Sequence, residues 1–107
     1  MKRFTTFYVA IVLGITSLAN GATTGISGDV TPGSAPTTWS LYSDNAYVGE
    51  DSTGSLTIVG GDTVSCYYGY AGYNSGGNGT ITVDGAGSNL KVKNTFAAGW
   101  NGIGALH

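Results

Sequence analysis

Apolar and polar residues alternate along the second half of the chain. Leu56 and Ile58 fall on one face of an extended segment and Ser55 and Thr57 on the other; Ile81 and Val83 repeat this against Thr80 and Thr82. A period of two built with β-branched residues marks a half-buried strand, not a helix. Val64 within Thr63 to Tyr67 predicts a further short strand, as do Leu90 and Val92 alternating with Lys91 and Lys93. Turn signals close the strands: Gly60-Gly61-Asp62 after the first and Asp84-Gly85-Ala86-Gly87 after the second. The pattern predicts an all-β protein.

The alternation is also repeated at a distance. Gly54-Ser55-Leu56, Gly79-Thr80-Ile81 and Gly104-Ala105-Leu106 follow one another at a constant interval, and Ile58 and Val83 continue the first two copies. A glycine precedes each copy, at Gly49, Gly72 and Gly99. Short strands separated by glycine corners at a fixed interval point to stacked structural repeats. The prediction is a right-handed parallel β-helix (β-solenoid) over residues 39–107, with units of about 25 residues paired into a 50-residue double repeat. Leu56, Ile81 and Leu106 would then stack inward, with Ser55, Thr80 and Ala105 outside. About 2.5 coils are present, and the third copy stops at His107 in mid-strand, which predicts a truncated fragment of a longer repeat protein. The competing architecture is a β-sandwich of hairpins turning at Asn78-Gly79 and Asn101-Gly102.

The chain ahead of Trp39 reads differently. Lys2 and Arg3 precede an apolar run from Phe7 to Leu18, followed by small residues around Ala19, Gly21 and Ala22. This is the layout of a secretory signal peptide over residues 1–21, cut after Gly21 or after Ala22. The run falls short of the ~20 apolar residues a spanning helix needs, so export to a secreted or cell-surface location, with no membrane span in the mature chain, is the expectation. Residues 22–38 are rich in Gly, Ser, Thr and Pro and read as a linker without regular structure. Beyond the cut, Lys91 and Lys93 stand against six carboxylates, a net charge of −4 with no arginine. That balance excludes nucleic acid as a partner. Cys66 is a lone cysteine, so no intrachain disulfide forms; it reads as a small buried apolar residue, with an intermolecular disulfide as the alternative.

Two stretches carry a family resemblance. Tyr47-Val48-Gly49 with Thr53-Gly54-Ser55-Leu56-Thr57-Ile58 and Gly60-Gly61 resembles one half of the type V secretion (autotransporter)/PEP-CTERM-associated repeat. Tyr70-Ala71-Gly72-Tyr73 with Gly79-Thr80-Ile81-Thr82-Val83-Asp84-Gly85-Ala86-Gly87-Ser88 resembles the other half. The resemblance implies a parallel β-helix in large exported bacterial proteins associated with cell surfaces and extracellular polymer, and it brings no active site with it. Asn89-Leu90 departs from it, standing where the family tends to have Thr-Trp.

Candidate chemistry is sparse. Gly76-Gly77-Asn78-Gly79 is similar to glycine-rich calcium repeats, but Ile81 stands where those place an aspartate, so no metal is expected. A hydrolase needs facing carboxylates; Asp62, Asp84, Glu50 and Asp51 all read as turn residues, and His107 is the sole histidine. No catalytic residues and no cofactor are expected, and the chain is not read as an enzyme. Tyr67, Tyr68, Tyr70 and Tyr73, with Trp100 further on, form one aromatic cluster. Tyr68, Tyr70, Tyr73 and Trp100 are the candidate ligand-stacking set, against the plainer reading of core filling and aromatic ladders between strands. The function read from this is a non-enzymatic, exported structural repeat module of a bacterial cell-surface or extracellular-matrix protein. Its expected partners are neighbouring repeats, extracellular polysaccharide and other surface proteins. The alternatives are an adhesin-like carbohydrate-binding surface on the Tyr67–Tyr73 face and a fragment of a polysaccharide-active β-helix enzyme.

Overall fold

The structure, a computed structural model, describes residues 23–107 and, ahead of them, the backbone of two strands, β1 (Lys2–Thr5) and β2 (Val9–Val12). The remainder of the expected signal peptide lies outside the described residues. The following strands are β3 (Gly25–Gly28), β4 (Val30–Thr31), β5 (Asn45–Val48), β6 (Thr53–Ile58), β7 (Thr63–Ala71), β8 (Asn78–Val83), β9 (Asn89–Ala98) and β10 (Ile103–Leu106). One turn of 3-10 helix, Pro36–Thr38, sits between β4 and β5. β6 and β8 show why alternation makes a strand here: each buries every second residue, Gly54, Leu56 and Ile58 in one and Gly79, Ile81 and Val83 in the other.

The strands form two sheets. The first has the order β1-β9-β7-β5-β4, with β2 also on β9, and the second has the order β10-β8-β6-β3. From β3 onward the chain passes from one sheet to the other at each successive strand, so neighbours in sequence do not lie side by side within a sheet, β4 and β5 excepted. A shared core fills the space between the sheets. Val48, Val64 and Val92 from the first and Ile58 and Val83 from the second are wholly buried, with Leu56, Ile81, Leu90 and Phe96 in the same cluster. Burial of such aliphatic side chains, about 1.5–3 kcal/mol each, is the main force holding the sheets together.

This architecture corrects the expected right-handed parallel β-helix. Both sheets are mixed: β5-β7-β9 and β6-β8-β10 run parallel, whereas β3 pairs antiparallel with β6, β4 with β5, and β1 and β2 with β9. Residues 25–31 were expected to have no regular structure, yet they supply the antiparallel strands β3 and β4 that border both sheets. They lack the Gly-small-aliphatic phrase, and so nothing in them matches a parallel neighbour side chain for side chain.

The regular repeat unit is corrected as well. In the second sheet Gly54 lies beside Gly79 and Gly79 beside Gly104, as Leu56 does with Ile81 and Ile81 with Leu106. In the first sheet the offsets differ: Tyr47 pairs with Tyr70, Val64 with Leu90 and Tyr70 with Ala97. Along β7 and β9 the change of offset comes from a bulge between Cys66 and Tyr68. An extra residue shifts the period-two phase, so the alternation that predicted a strand ending at Tyr67 resumes beyond it and β7 runs on to Ala71. From β5 onward each unit thus holds two strands, one in each sheet. Asn78-Gly79 opens β8 and forms no hairpin turn, which removes the hairpin sandwich too.

The glycines of the repeated phrase close the corners. Gly49, Gly72 and Gly99 adopt φ of +73°, +75° and +79°, and their N–H groups donate to the carbonyls of Asp29 (2.7 Å), Val48 (2.9 Å) and Ala71 (2.7 Å). A Cβ on Gly54, Gly79 or Gly104 would overlap those same three carbonyl oxygens. Each corner therefore needs a pair of glycines, one for its left-handed backbone and one for its lack of a side chain.

Candidate functional site

The outer face of the first sheet carries the aromatic residues. In β5 and β7 the residues Ala46, Val48, Gly69 and Ala71 point into the core, which leaves Tyr47, Tyr68 and Tyr70 on the opposite face. Gly69 is itself required inward, where a Cβ would press on Phe96, Cys66 and Val92. Tyr73 and Trp100 come from the corners that follow β7 and β9.

These rings form one continuous group. The planes of Tyr47 and Tyr70 lie 14° apart at 5.2 Å, and those of Tyr70 and Tyr68 lie 16° apart at 6.2 Å. Tyr73 and Trp100 are likewise nearly parallel, at 6.1 Å. The two sets meet edge to face: Tyr47 with Tyr73 at 4.9 Å, Tyr70 with Tyr73 at 4.7 Å and Tyr70 with Trp100 at 5.6 Å. Stacked and T-shaped pairs each contribute about 0.5–1.5 kcal/mol beyond the area they bury. The structure thus brings together all four candidate stacking residues, Tyr68, Tyr70, Tyr73 and Trp100. It adds Tyr47, which the sequence reading did not include; its outward position opposite the buried Ala46 and Val48 was the available signal.

Polar groups border the rings. Tyr67 stands perpendicular to Tyr68 at 4.8 Å, and the side-chain amide of Asn94 donates to the hydroxyls of Tyr67 (3.1 Å) and Tyr68 (3.3 Å). Lys93 places its ammonium 5.3 Å from the centre of the exposed Tyr42 ring. Tyr47 holds its proton more firmly than an ordinary phenol, because partial burial opposes the phenolate and Tyr73 and Glu50 stand close by.

The carboxylates gather at two corners instead. Asp29 receives the backbone N–H groups of Asp51 and Ser52 at 2.8 and 3.0 Å, and Asn74 donates to Asp51 at 2.7 Å. At the other corner the turns holding Asp62 and Asp84 stack: Asn89 N–H donates to the Asp62 carbonyl, and the buried Ser88 hydroxyl accepts Gly61 N–H while donating to the Asp84 carbonyl. Asp84 Oδ1 and Asn89 Oδ1 are buried here without a partner among the described residues. Gly76 and Gly77, from the glycine run weighed for calcium, face the backbone oxygens of Asp51, Gly49 and Glu50 at close range. Their role is to let two corners stack. Among the described residues no three His, Cys, Asp or Glu side chains group as metal ligands, and no pocket opens. Cys66 is buried within the core, where desolvation first and Asp44 second push its thiol up to about 12. His107 continues the backbone pairing, donating to Ile81 and accepting from Val83.

No family model, curated protein or solved structure matches the chain. The chemistry of its surface is therefore read from its own residues.

Proposed function

We propose that this chain is a non-enzymatic, exported structural module of a bacterial cell-surface or extracellular-matrix protein. The observation that carries the reading is the glycine-paired corner, built three times over, in which backbone crosses backbone with no room for a side chain. Such corners hold two sheets together by main-chain geometry, which suits a rigid spacer. The basic, apolar and small-residue order of residues 1–22 supports export, and the likeness to autotransporter and PEP-CTERM-associated repeats supports a surface setting. Neighbouring repeats or other surface proteins are the partners this role would bring.

Expression of the chain in a bacterial host, with cell fractionation and intact-mass measurement, tests the proposal. The expected product begins at Ala22 or Thr23, lies outside the cytoplasm and resists added protease. An uncut chain retained in the cytoplasm would overturn it.

A further inference from the structure

We infer that the outer edge of β9, once freed of β1 and β2, joins the same edge of a second copy of the chain about a two-fold axis at Asn94. Removal of residues 1–21, taken from the export reading above, is what frees that edge. The structure shows that the edge accepts strands. β1 lies antiparallel along Thr95 to Ala98 and β2 antiparallel along Asn89 to Val92, while β7 holds the inner side of β9. Both covering strands fall within the segment that reads as the signal peptide. Without them the 10 residues of β9 present a row of unpaired N–H and C=O groups, which draws another strand onto a sheet.

The opposite border of each sheet is built differently. It is closed by β3 and β4, of 4 and 2 residues, which run against their neighbours. Such short border strands offer little to pair with. At the β9 end the core is also less well covered. β10 packs against β9, and its Leu106 is only partly buried, whereas Leu56 and Ile81 in the same row are 1% and 2% exposed.

The residues of β9 specify the occupant. The strand keeps one phase along its length: Leu90, Val92 and Phe96 lie in the core and Ala98 packs against it. These positions are symmetric about Asn94. A second β9 running antiparallel, with Asn94 opposite Asn94, sets Leu90 against Ala98 and Val92 against Phe96 of the copy, twice over. Core residues then meet core residues on one face. On the other, Lys91 meets Ala97 and Lys93 meets Thr95, so no lysine stands directly opposite another. A slip of one residue would set core side chains against outward ones. Antiparallel pairing of a segment with itself is what a two-fold axis produces, and the closed dimer leaves no β9 edge for a third copy.

The edge can be freed in the full chain without any cut. Successive N–H groups of a strand point to opposite sides, so prolines at Phe4 and Thr5 and at Ala10 and Ile11 remove a bond from each covering strand. In sedimentation equilibrium the parent is expected to be a monomer, and the F4P/T5P/A10P/I11P variant to double in mass while keeping a β-sheet circular dichroism. Asn94→Cys added to that variant gives a disulfide-linked dimer on mild oxidation, because opposed antiparallel residues lie about 4.5–5.5 Å apart at Cα, within reach of a disulfide. Lys91→Cys in the same background gives none, since it faces Ala97, and Asn94→Cys in the parent gives none, since β1 and β2 hold the edge. Cys66, 1% exposed, takes no part. A freed variant that is monomeric or unfolded, assembly beyond the dimer, a parent that dimerises equally, or crosslinking at Lys91→Cys as strong as at Asn94→Cys would each overturn the inference. These readings need no signal peptidase, so an uncut chain in the fractionation experiment would sink the export reading alone.

Discussion

Asp29 shows how one carboxylate positions a corner. Backbone N–H groups of Asp51 and Ser52 donate to it and hold its carboxyl below the usual value of 3.8. A depressed folded-state value stabilises the fold above the unfolded value, and that contribution disappears as pH falls through the folded value. The urea midpoint should therefore stay level above about pH 5 and decline below about pH 4, with a shallower decline in Asp29→Asn, which keeps an acceptor but loses the charge. Cys66 has the opposite sign. Its thiol is raised from 9.0 to about 12, so neutral pH leaves it protonated and its contribution to stability is lost only as pH climbs from 9 towards 12. Iodoacetamide at about pH 8 should label Cys66 in denaturant and leave the folded chain unmodified, because the thiolate is the reactive form. An intermolecular disulfide through a thiol 1% exposed has no route in the folded state.

At the scale of the element, the corner glycines divide by what a side chain would meet. A Cβ on Gly79 overlaps the Val48 carbonyl, whereas one on Gly25 meets nothing within 4 Å. Gly79→Ala should cost about 1–3 kcal/mol or more in urea unfolding, as overpacking does, while Gly25→Ala should stay within about 0.5 kcal/mol. Equal effects would remove the steric account of the corners. The bulge in β7 explains a second feature of its strand. Where Tyr67 alone lies opposite Lys93 and Asn94, the inward phase of β7 changes and Tyr68 and Tyr70 both face outward, so that two rings on one strand become parallel neighbours. A reading by strict alternation stops at the bulge. That is why the length of β7 was not legible in the sequence, although its residue types were.

For the whole molecule, stability should follow position in the sheets. From Thr23 onward β6, β7 and β8 have neighbours on both sides, whereas β10 borders the second sheet and its Ile103 is 69% exposed. Hydrogen exchange should be slowest in the amides of β6 to β8 and faster by orders of magnitude in β10, since edge strands open without unfolding the core. Uniform protection across all strands would show a single cooperative unit with no edge effect. The same arrangement separates the surface chemistry. Acidic residues collect in the turns because Asp favours them, which leaves the flat outer face of the first sheet to tyrosines, Lys91 and Lys93.

By itself the sequence determined the parallel strands β6, β8 and β10 of the second sheet and how they align. The glycine corner recurs at Gly54, Gly79 and Gly104 with an aliphatic two places later each time, and a corner with no room for a side chain tolerates no slip. It also showed that Tyr68, Tyr70, Tyr73 and Trp100 belong to one aromatic group. The tertiary structure alone decided the rest. Antiparallel pairing of β3 and β4 depends on which edges are open when the strands assemble, a non-local matter that leaves no periodic trace. Tyr47 joins the rings because it pairs with Tyr70, an alignment shorter than the interval that governs the second sheet. The repeated phrase predicted one regular coil; the bulge and the reversed border strands made two mixed sheets, since backbone hydrogen bonds accept any register that keeps the core side chains inside.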